Sequence, residues 1–221
     1  MDRCRLLVEG QTEETFANRT LVPHLYDLGF QVVSVTVVAT KRLAGGGKHR
    51  GGVVSWQQLR GDIDLLAGDH GALVTTLVDF YGLPHDVPGL GELEPHWDAR
   101  QRVAHIENAM QAEVAASNFV PHVVLHELEA LLYSDPAAAG GHFGDDAVKA
   151  AMEADLTECG EPELVDDGPE TAPSKRMINH RSGYLKTSDG PNILADIGLA
   201  AIRDSCPHFD SWLTTIENFA P

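Results

Sequence analysis

The sequence predicts an α/β protein: a parallel four-stranded sheet with helices on both faces, continued by a helical C-terminal extension. Three observations carry this expectation. Short β-branched runs alternate with segments of helical period up to His126, which is the pattern of a parallel sheet whose crossovers cover both faces. After Glu127 the helical period takes over and no further strand pattern stands out. The 221 residues, 43% hydrophobic and 22% charged, have an ordinary globular composition and enough length for a sizeable core.

Cys4 to Glu9 (C-R-L-L-V-E) reads as the first strand. Thr12 to Leu28 follows as a helix, with Phe16, Leu21, Leu25 and Leu28 near helical spacing and Thr12 as N-cap. Gln31 to Ala39 is dense in β-branched residues and reads as the second strand. A glycine-rich loop, Gly45 to Gly52, leads to a helix capped by Ser55 and running to about Leu66. Ala72 to Phe80 is the third strand, followed by a Pro- and Gly-rich loop through Glu94. Ala99 to Ala116 reads as a helix and Phe119 to His126 as the fourth strand. Asp155 to Pro173, acidic with Gly and Pro, reads as an exposed loop; Ile193 to Arg203 and Phe209 to Phe219 are the closing helices. Residues 1–134 are thus expected as the α/β core and 135–221 as an extension packed on it in one compact unit.

Charge excludes one function class. With 16 Lys and Arg against 33 Asp and Glu the formal charge is −17, and charging all 11 His would leave −6. Non-specific nucleic-acid binding takes most of its affinity from neutralised phosphates, so this chain does not coat nucleic acid by bulk charge. Cys4, Cys159 and Cys206 are odd in number and far apart, which suits a reduced protein rather than a disulfide framework. Met1 to Arg5 leads into a run of only three apolar residues before Glu9, and no apolar run approaches the ~20 residues of a membrane helix. The expectation is a cytoplasmic protein with no membrane attachment.

The chemistry lies at the strand ends. Glu9, Asp79, His126 and Glu127 each fall at the C-terminal end of a predicted strand, and open α/β sheets bind ligands outside those carboxyl ends. Carboxylates gathered in one cleft repel one another, and a hard divalent cation relieves the repulsion. Such an ion, Mg²⁺ or Mn²⁺, can activate water and stabilise the leaving oxygen in phosphodiester hydrolysis. The plainer reading is that the acids cap helices; Glu13 and Glu14 fall in the first turn of helix one, where the dipole favours anions. Glu9 and Asp79 resist that reading, because an acid that ends a hydrophobic strand has no helix to cap.

Lys41, Arg42, Lys48, His49 and Arg50 form a basic island in the acidic chain, either a phosphate contact or a solvated loop. Gly47-Lys48 is not a P-loop, since His49 follows the lysine and Arg42 stands where the first glycine belongs. His126-Glu127 is not the zinc-protease helix, whose second histidine would fall at Ala130. Ser174 lacks the G-x-S-x-G elbow of a hydrolase nucleophile. His24, His96, His122 and His208 each have a proline one position away and read as structural.

Leu7-Val8-Glu9-Gly10-Gln11-Thr12-Glu13-Glu14 resembles the opening V-E-G-x-x-E of Toprim-type nucleases, especially the overcoming-lysogenization-defect branch. Over nearly its whole length the chain also resembles the bacterial family known as domain of unknown function 4276. The matching blocks are Val8 to Glu14, Asp79 to Pro84, Leu125 to Leu132, Pro169 to Arg176, and Cys206 to Phe209.

The resemblance implies a Toprim/Rossmann-like core. It makes Glu9 a metal ligand or general acid/base, Glu13 the second acid of the motif, and Asp79 the first Asp of a D-x-D pair. Glu127 and Glu129 would complete the metal site, and Lys175 would be the late lysine that offsets developing charge. Lys41, Lys48 and Arg50, with Arg176 from the late block, are the candidate phosphate contacts. Tyr81 stands where D-x-D has its second Asp; either Glu127 or Glu129 compensates, or one ion binds, or the site is inactive. The implied function is Mg²⁺-dependent hydrolysis of nucleic acid, DNA ahead of RNA, in a phage-defence pair with a nearby-encoded ATPase of the ABC or structural-maintenance type. The alternatives are a non-catalytic partner-binding subunit of that ATPase and a small-molecule phosphohydrolase.

Overall fold

The computed structural model describes residues 1–38, 53–165 and 171–221. Strands β1 (Arg3–Val8), β2 (Val32–Val37), β3 (Ala72–Asp79), β4 (Phe119–Val120) and β5 (Val123–Val124) all pair in parallel. Their order is β2-β1-β3-β4, with β5 also pairing with β3. This is the expected α/β class.

The expected fourth strand is split in two. Pro121 stands in the gap between β4 and β5, and a residue without an N–H cannot continue a ladder. β3 is the centre of the sheet and is buried along its whole length, which is why A-L-V-T-T-L-V-D reads as a nearly unbroken apolar run. Its two threonines are satisfied. Trp212 Nε1 donates to Thr75 Oγ1 at 2.8 Å, while Thr76 Oγ1 donates to the His122 carbonyl at 3.0 Å and accepts the His122 N–H at 2.8 Å.

Strand alternation sorts the core onto two faces. Cys4, Leu6, Val8, Leu73 and Leu77 pack with Phe16, Leu21 and Leu25 and with the late residues Ile193, Ile202, Phe209 and Leu213. Leu7, Val74 and Val78 point the other way. They meet Leu59 and Ile63 of α3 (Trp56–Ala67) and Val103, Ile106 and Met110 of α4 (Ala99–Val114). Each fully buried aliphatic side chain contributes about 1.5–3 kcal/mol, so both helical layers are held by the strands between them.

Side-chain caps set the starts of both helices on this second face. Ser55 accepts from the Gln58 N–H as expected, and Asp98 and Gln101 form a reciprocal capping box on α4. The first helix differs from expectation. It comprises α1 (Gln11–Phe16), a π-helical turn (Ala17–Leu21) and α2 (Val22–Asp27); Gly10 is its N-cap, and Thr12 is buried inside it.

The C-terminal half contains α5 (Pro136–Phe143), α6 (Asp146–Cys159), α7 (Pro173–His180), α8 (Asp189–Ile197), α9 (Leu199–Ser205) and α10 (Pro207–Glu217). Gly198, at φ 80°, breaks the single helix expected over Ile193 to Arg203.

The acidic stretch from Asp155 is not an exposed loop throughout: α6 continues to Cys159, and Asp155, Glu163 and Val165 are buried. The carboxylates are engaged rather than solvated. Asp155 accepts from Tyr133 and Arg176 and meets His180, while Glu163 accepts the backbone N–H groups of His208 and Phe209. Residues 166–170 of that stretch, the Gly45 to Gly52 loop and the basic island lie outside the described residues. No helix among the described residues is long and apolar enough to cross a membrane.

Candidate active site

The strand order locates the cleft. From β1 the chain moves outward to β2, then crosses back to place β3 on the other side of β1. The crevice at such a switch point opens at the carboxyl ends of β1 and β3. Glu9 directly follows β1, and Asp79 is the last residue of β3. The Asp79 N–H donates to Glu9 Oε2 at 3.0 Å. The two acids, 70 residues apart in sequence, therefore meet at one rim.

Three more carboxylates join them. Glu13, in the first turn of α1, is only 3% exposed, and its charge interacts with those of Asp79 and Glu9. Past β5 the chain turns into a 3₁₀ stretch (Leu128–Ser134) whose Leu128 N–H donates to Asp79 Oδ1 at 2.9 Å. That bond brings Glu127 and Glu129 to the cleft. Glu127 Oε2 accepts the Ser174 N–H at 2.8 Å, and Glu129 is 1% exposed with the Tyr184 hydroxyl 3.5 Å from Oε1.

The cation among these acids is Lys186, which lies between α7 and α8. Its Nζ is 2.8 Å from Glu129 Oε2, 3.6 Å from Asp79 Oδ2 and 4.0 Å from Glu127 Oε1. Burial works against its ammonium, but the charges of Glu129, Asp79 and Glu127 outweigh burial and hold it protonated.

Burial and mutual repulsion raise several of these carboxyls. Burial first, then the Asp79 charge, pushes Glu9 up to about 7 against the pull of the Asp79 N–H and Lys186. The same two causes raise Glu13 to about 8. Burial raises Asp79 to about 6, with Lys186 opposing and Glu127 adding. Burial raises Glu129 to about 8 despite Lys186.

The donor chemistry suits a hard divalent cation, although Lys186 now stands among three of the acids and their ligand atoms are not drawn to one point as those of Glu107, His122 and His208 are. All the ligand atoms on offer are carboxylate oxygens, the set favoured by Mg²⁺ and Mn²⁺. Among the described residues, the five acids have one ammonium to balance them. The turn after β3 also packs closely on the site: a Cβ at Gly82 would overlap the Glu9 carboxylate, so a larger residue there must displace it.

The other expected site residues lie elsewhere. Lys175 is exposed on α7, and among the described residues it has no ion pair with any of the acids; the lysine in the cluster is Lys186. Arg176 is engaged by Asp155, Glu158 and the Thr171 carbonyl rather than directed at the cleft. Lys41, Lys48 and Arg50 lie outside the described residues. Tyr81, in the 3₁₀ turn Phe80–Gly82, stacks on His126 with ring centroids 6.2 Å apart. His126 also lines an open groove of about 390 Å³ with Trp97, Asp98 and Arg102.

Fold and cleft together define a doubly wound α/β protein with a carboxylate cluster at its switch point. The family model described as Domain of unknown function (DUF4276) matches residues 8–217, and the chain belongs to that family. Among solved structures, the chain is similar to the C-terminal region of the Burkholderia pseudomallei OLD protein. The identity is 15% and the TM-score 0.47, over 100% of each chain. It is also similar to the C-terminal region of the Xanthomonas campestris pv. campestris OLD protein, at 17% identity and a TM-score of 0.36, over 98% of this chain and 97% of that one. No curated protein matches the chain.

Proposed function

We propose that the protein is a Mg²⁺- or Mn²⁺-dependent nuclease that hydrolyses phosphodiester bonds in DNA. The observation that carries this reading is the meeting of Glu9, Glu13, Asp79, Glu127 and Glu129 around Lys186 at the switch point of a parallel sheet. The five acids would hold the metal. When bound, it supplies activation of water and neutralisation of phosphate charge.

The chain's own groups do the rest. Glu9 has one oxygen fixed by the Asp79 N–H, which positions its carboxylate to hold the ion or to take a proton from the attacking water and return it to the leaving oxygen. Lys186 offsets charge that develops on the phosphoryl oxygens. A chain of −17 has little general grip on a polyanion, so an ATPase partner of the ABC or structural-maintenance type would supply it, as in a phage-defence pair.

Purified protein should nick plasmid DNA in Mn²⁺ or Mg²⁺, and chelator, Glu9→Gln or Asp79→Asn should stop the nicking. A wild-type protein that binds no divalent cation at millimolar levels contradicts the proposal. One observation favours a second reading. Tyr81 occupies the place of an acid and is committed to a stack on His126, as suits a subunit that retained the fold to bind a partner. Metal-independent association with the ATPase, without nicking by the pair, would support it.

A further inference from the structure

We propose that Glu107, His122 and His208 form a second metal site, separate from the carboxylate cleft and suited to a transition-metal ion such as Zn²⁺. The residues come from three elements: Glu107 from α4, His122 from the link between β4 and β5, and His208 from the first turn of α10. One ligand atom from each lies within 4.8 Å of the other two. His208 Nε2 is 3.1 Å and His122 Nδ1 3.5 Å from Glu107 Oε1. Ligands bound tetrahedrally at about 2.0–2.1 Å stand roughly 3.4 Å apart, so these separations match two edges of a coordination tetrahedron.

The independent observation is His122 itself. It is 1% exposed, and its Nδ1 is buried without a hydrogen-bond partner. A buried ring nitrogen left in that state needs an explanation, and its approach to Glu107 is too long to provide one. The ring has little freedom to turn away. It stacks on Trp212 at 4.3 Å and 10° and on His208 at 4.9 Å and 23°.

Burial lowers His122 to about 4, so the ring is neutral at neutral pH and has one lone pair to offer an ion. Glu107 is ionised: burial pushes it up, but the nearby His122 and His208 rings outweigh that and hold it at about 2. The Val123 N–H fixes Glu107 Oε1 from behind at 2.8 Å, the kind of supporting bond that orients a metal ligand. His208 Nε2 now faces Glu107 and the Val123 carbonyl as a donor, so binding an ion there releases its proton. Glu107 and His208 are both partly exposed, which gives the ion a path from solvent. Two imidazoles and one carboxylate favour Zn²⁺, Fe²⁺ or Co²⁺ over Mg²⁺. The ion would tie α4 and α10 to the strand that leads into Glu127.

The test uses the full chain, stripped with chelator and held in a large excess of Mg²⁺ so that the carboxylate cleft is filled. Co²⁺ is titrated in and read by its visible absorption, and Zn²⁺ by metal content after dialysis and by thermal denaturation. The proposal expects one equivalent of either ion, release of a proton, and a higher melting temperature. Glu107→Gln and His208→Gln should each weaken binding by at least about 10-fold, with an unchanged circular dichroism spectrum. If the folded wild type takes up no equivalent, or either variant binds as tightly as wild type, the three residues are a hydrogen-bonded cluster and the proposal is overturned. Zn²⁺ uptake without nicking would sink the nuclease reading alone, and nicking without Zn²⁺ uptake would sink this one alone.

Discussion

The backbone N–H of Asp79 donates to Oε2 of Glu9 at 3.0 Å, joining the ends of the two central strands through the cleft. The pattern continues outward: Asp79 Oδ1 accepts the Leu128 N–H, and Glu127 accepts the Ser174 N–H. Three of the five acids are thus oriented by main-chain amides from neighbouring segments. A main-chain amide does not titrate, so it can orient an acid across a wide pH range, as a preorganised ion site requires.

Glu9→Gln separates position from charge. The glutamine carbonyl can still accept the Asp79 N–H, and one buried charge is removed from a crowded set. Stability should change by no more than about 1 kcal/mol, while nicking falls at least about 100-fold. Chemical denaturation and a plasmid assay on the same preparation check both.

Lys186→Met and Lys175→Met should part company. Lys186 is the cation that Glu129, Asp79 and Glu127 share, but its side chain is 37% exposed. Allowing for solvent screening, its loss should cost about 1–2 kcal/mol without metal and about 100-fold in nicking. Lys175, exposed on α7, should change either quantity by less than about 0.5 kcal/mol. Equal losses in the two variants would remove Lys186 from its assigned role.

The raised carboxyls make a signed prediction for pH. Glu9, Glu13 and Glu129 rise from 4.5 to about 7, 8 and 8. Between pH 4.5 and about 8 the folded state therefore binds more protons than the unfolded chain, and stability falls as pH rises through that window. Metal-free protein should melt at least about 5 °C lower at the top of the window than at pH 6. Glu13→Gln should shrink that fall. Because bound metal takes the place of the protons, Mn²⁺ should raise the melting temperature more at the high pH than at the low one, as scans with and without chelator will read.

Gly82→Ala tests the tightness of the cleft. The added methyl would overlap the Glu9 carboxylate, so either the side chain or the turn after β3 must shift. The expected cost is about 1–3 kcal/mol, with Mn²⁺ affinity at least tenfold weaker by equilibrium dialysis. An unchanged affinity would mean that Glu9 is not a ligand.

Much of this site was legible along the chain because an acid that ends a buried strand has little structural reason to be there. Glu9 and Asp79 stand out on that ground alone. Glu127 shares that strand-end position, whereas Glu13 and Glu129 needed the family motif, since helix capping explains a first-turn acid equally well. Lys186 left no local signal: it lies in a turn between α7 and α8, placed by tertiary contacts that no periodicity encodes. For a related reason the sequence says little about how His122 and His208 meet. The neighbouring proline describes their backbone, whereas their side chains meet only after α4, β5 and α10 have packed. Asp155 and Glu163 read as loop acids in the sequence because composition records charge but not its partners.

The central claim is that acids remote in sequence share one cation. An anomalous difference map from a crystal soaked in Mn²⁺ tests it most directly. A peak bounded by carboxylate oxygens of Glu9 and Asp79, lost in Asp79→Asn, is the predicted result. Carboxylates in their present positions with no peak between them at millimolar Mn²⁺ would contradict it.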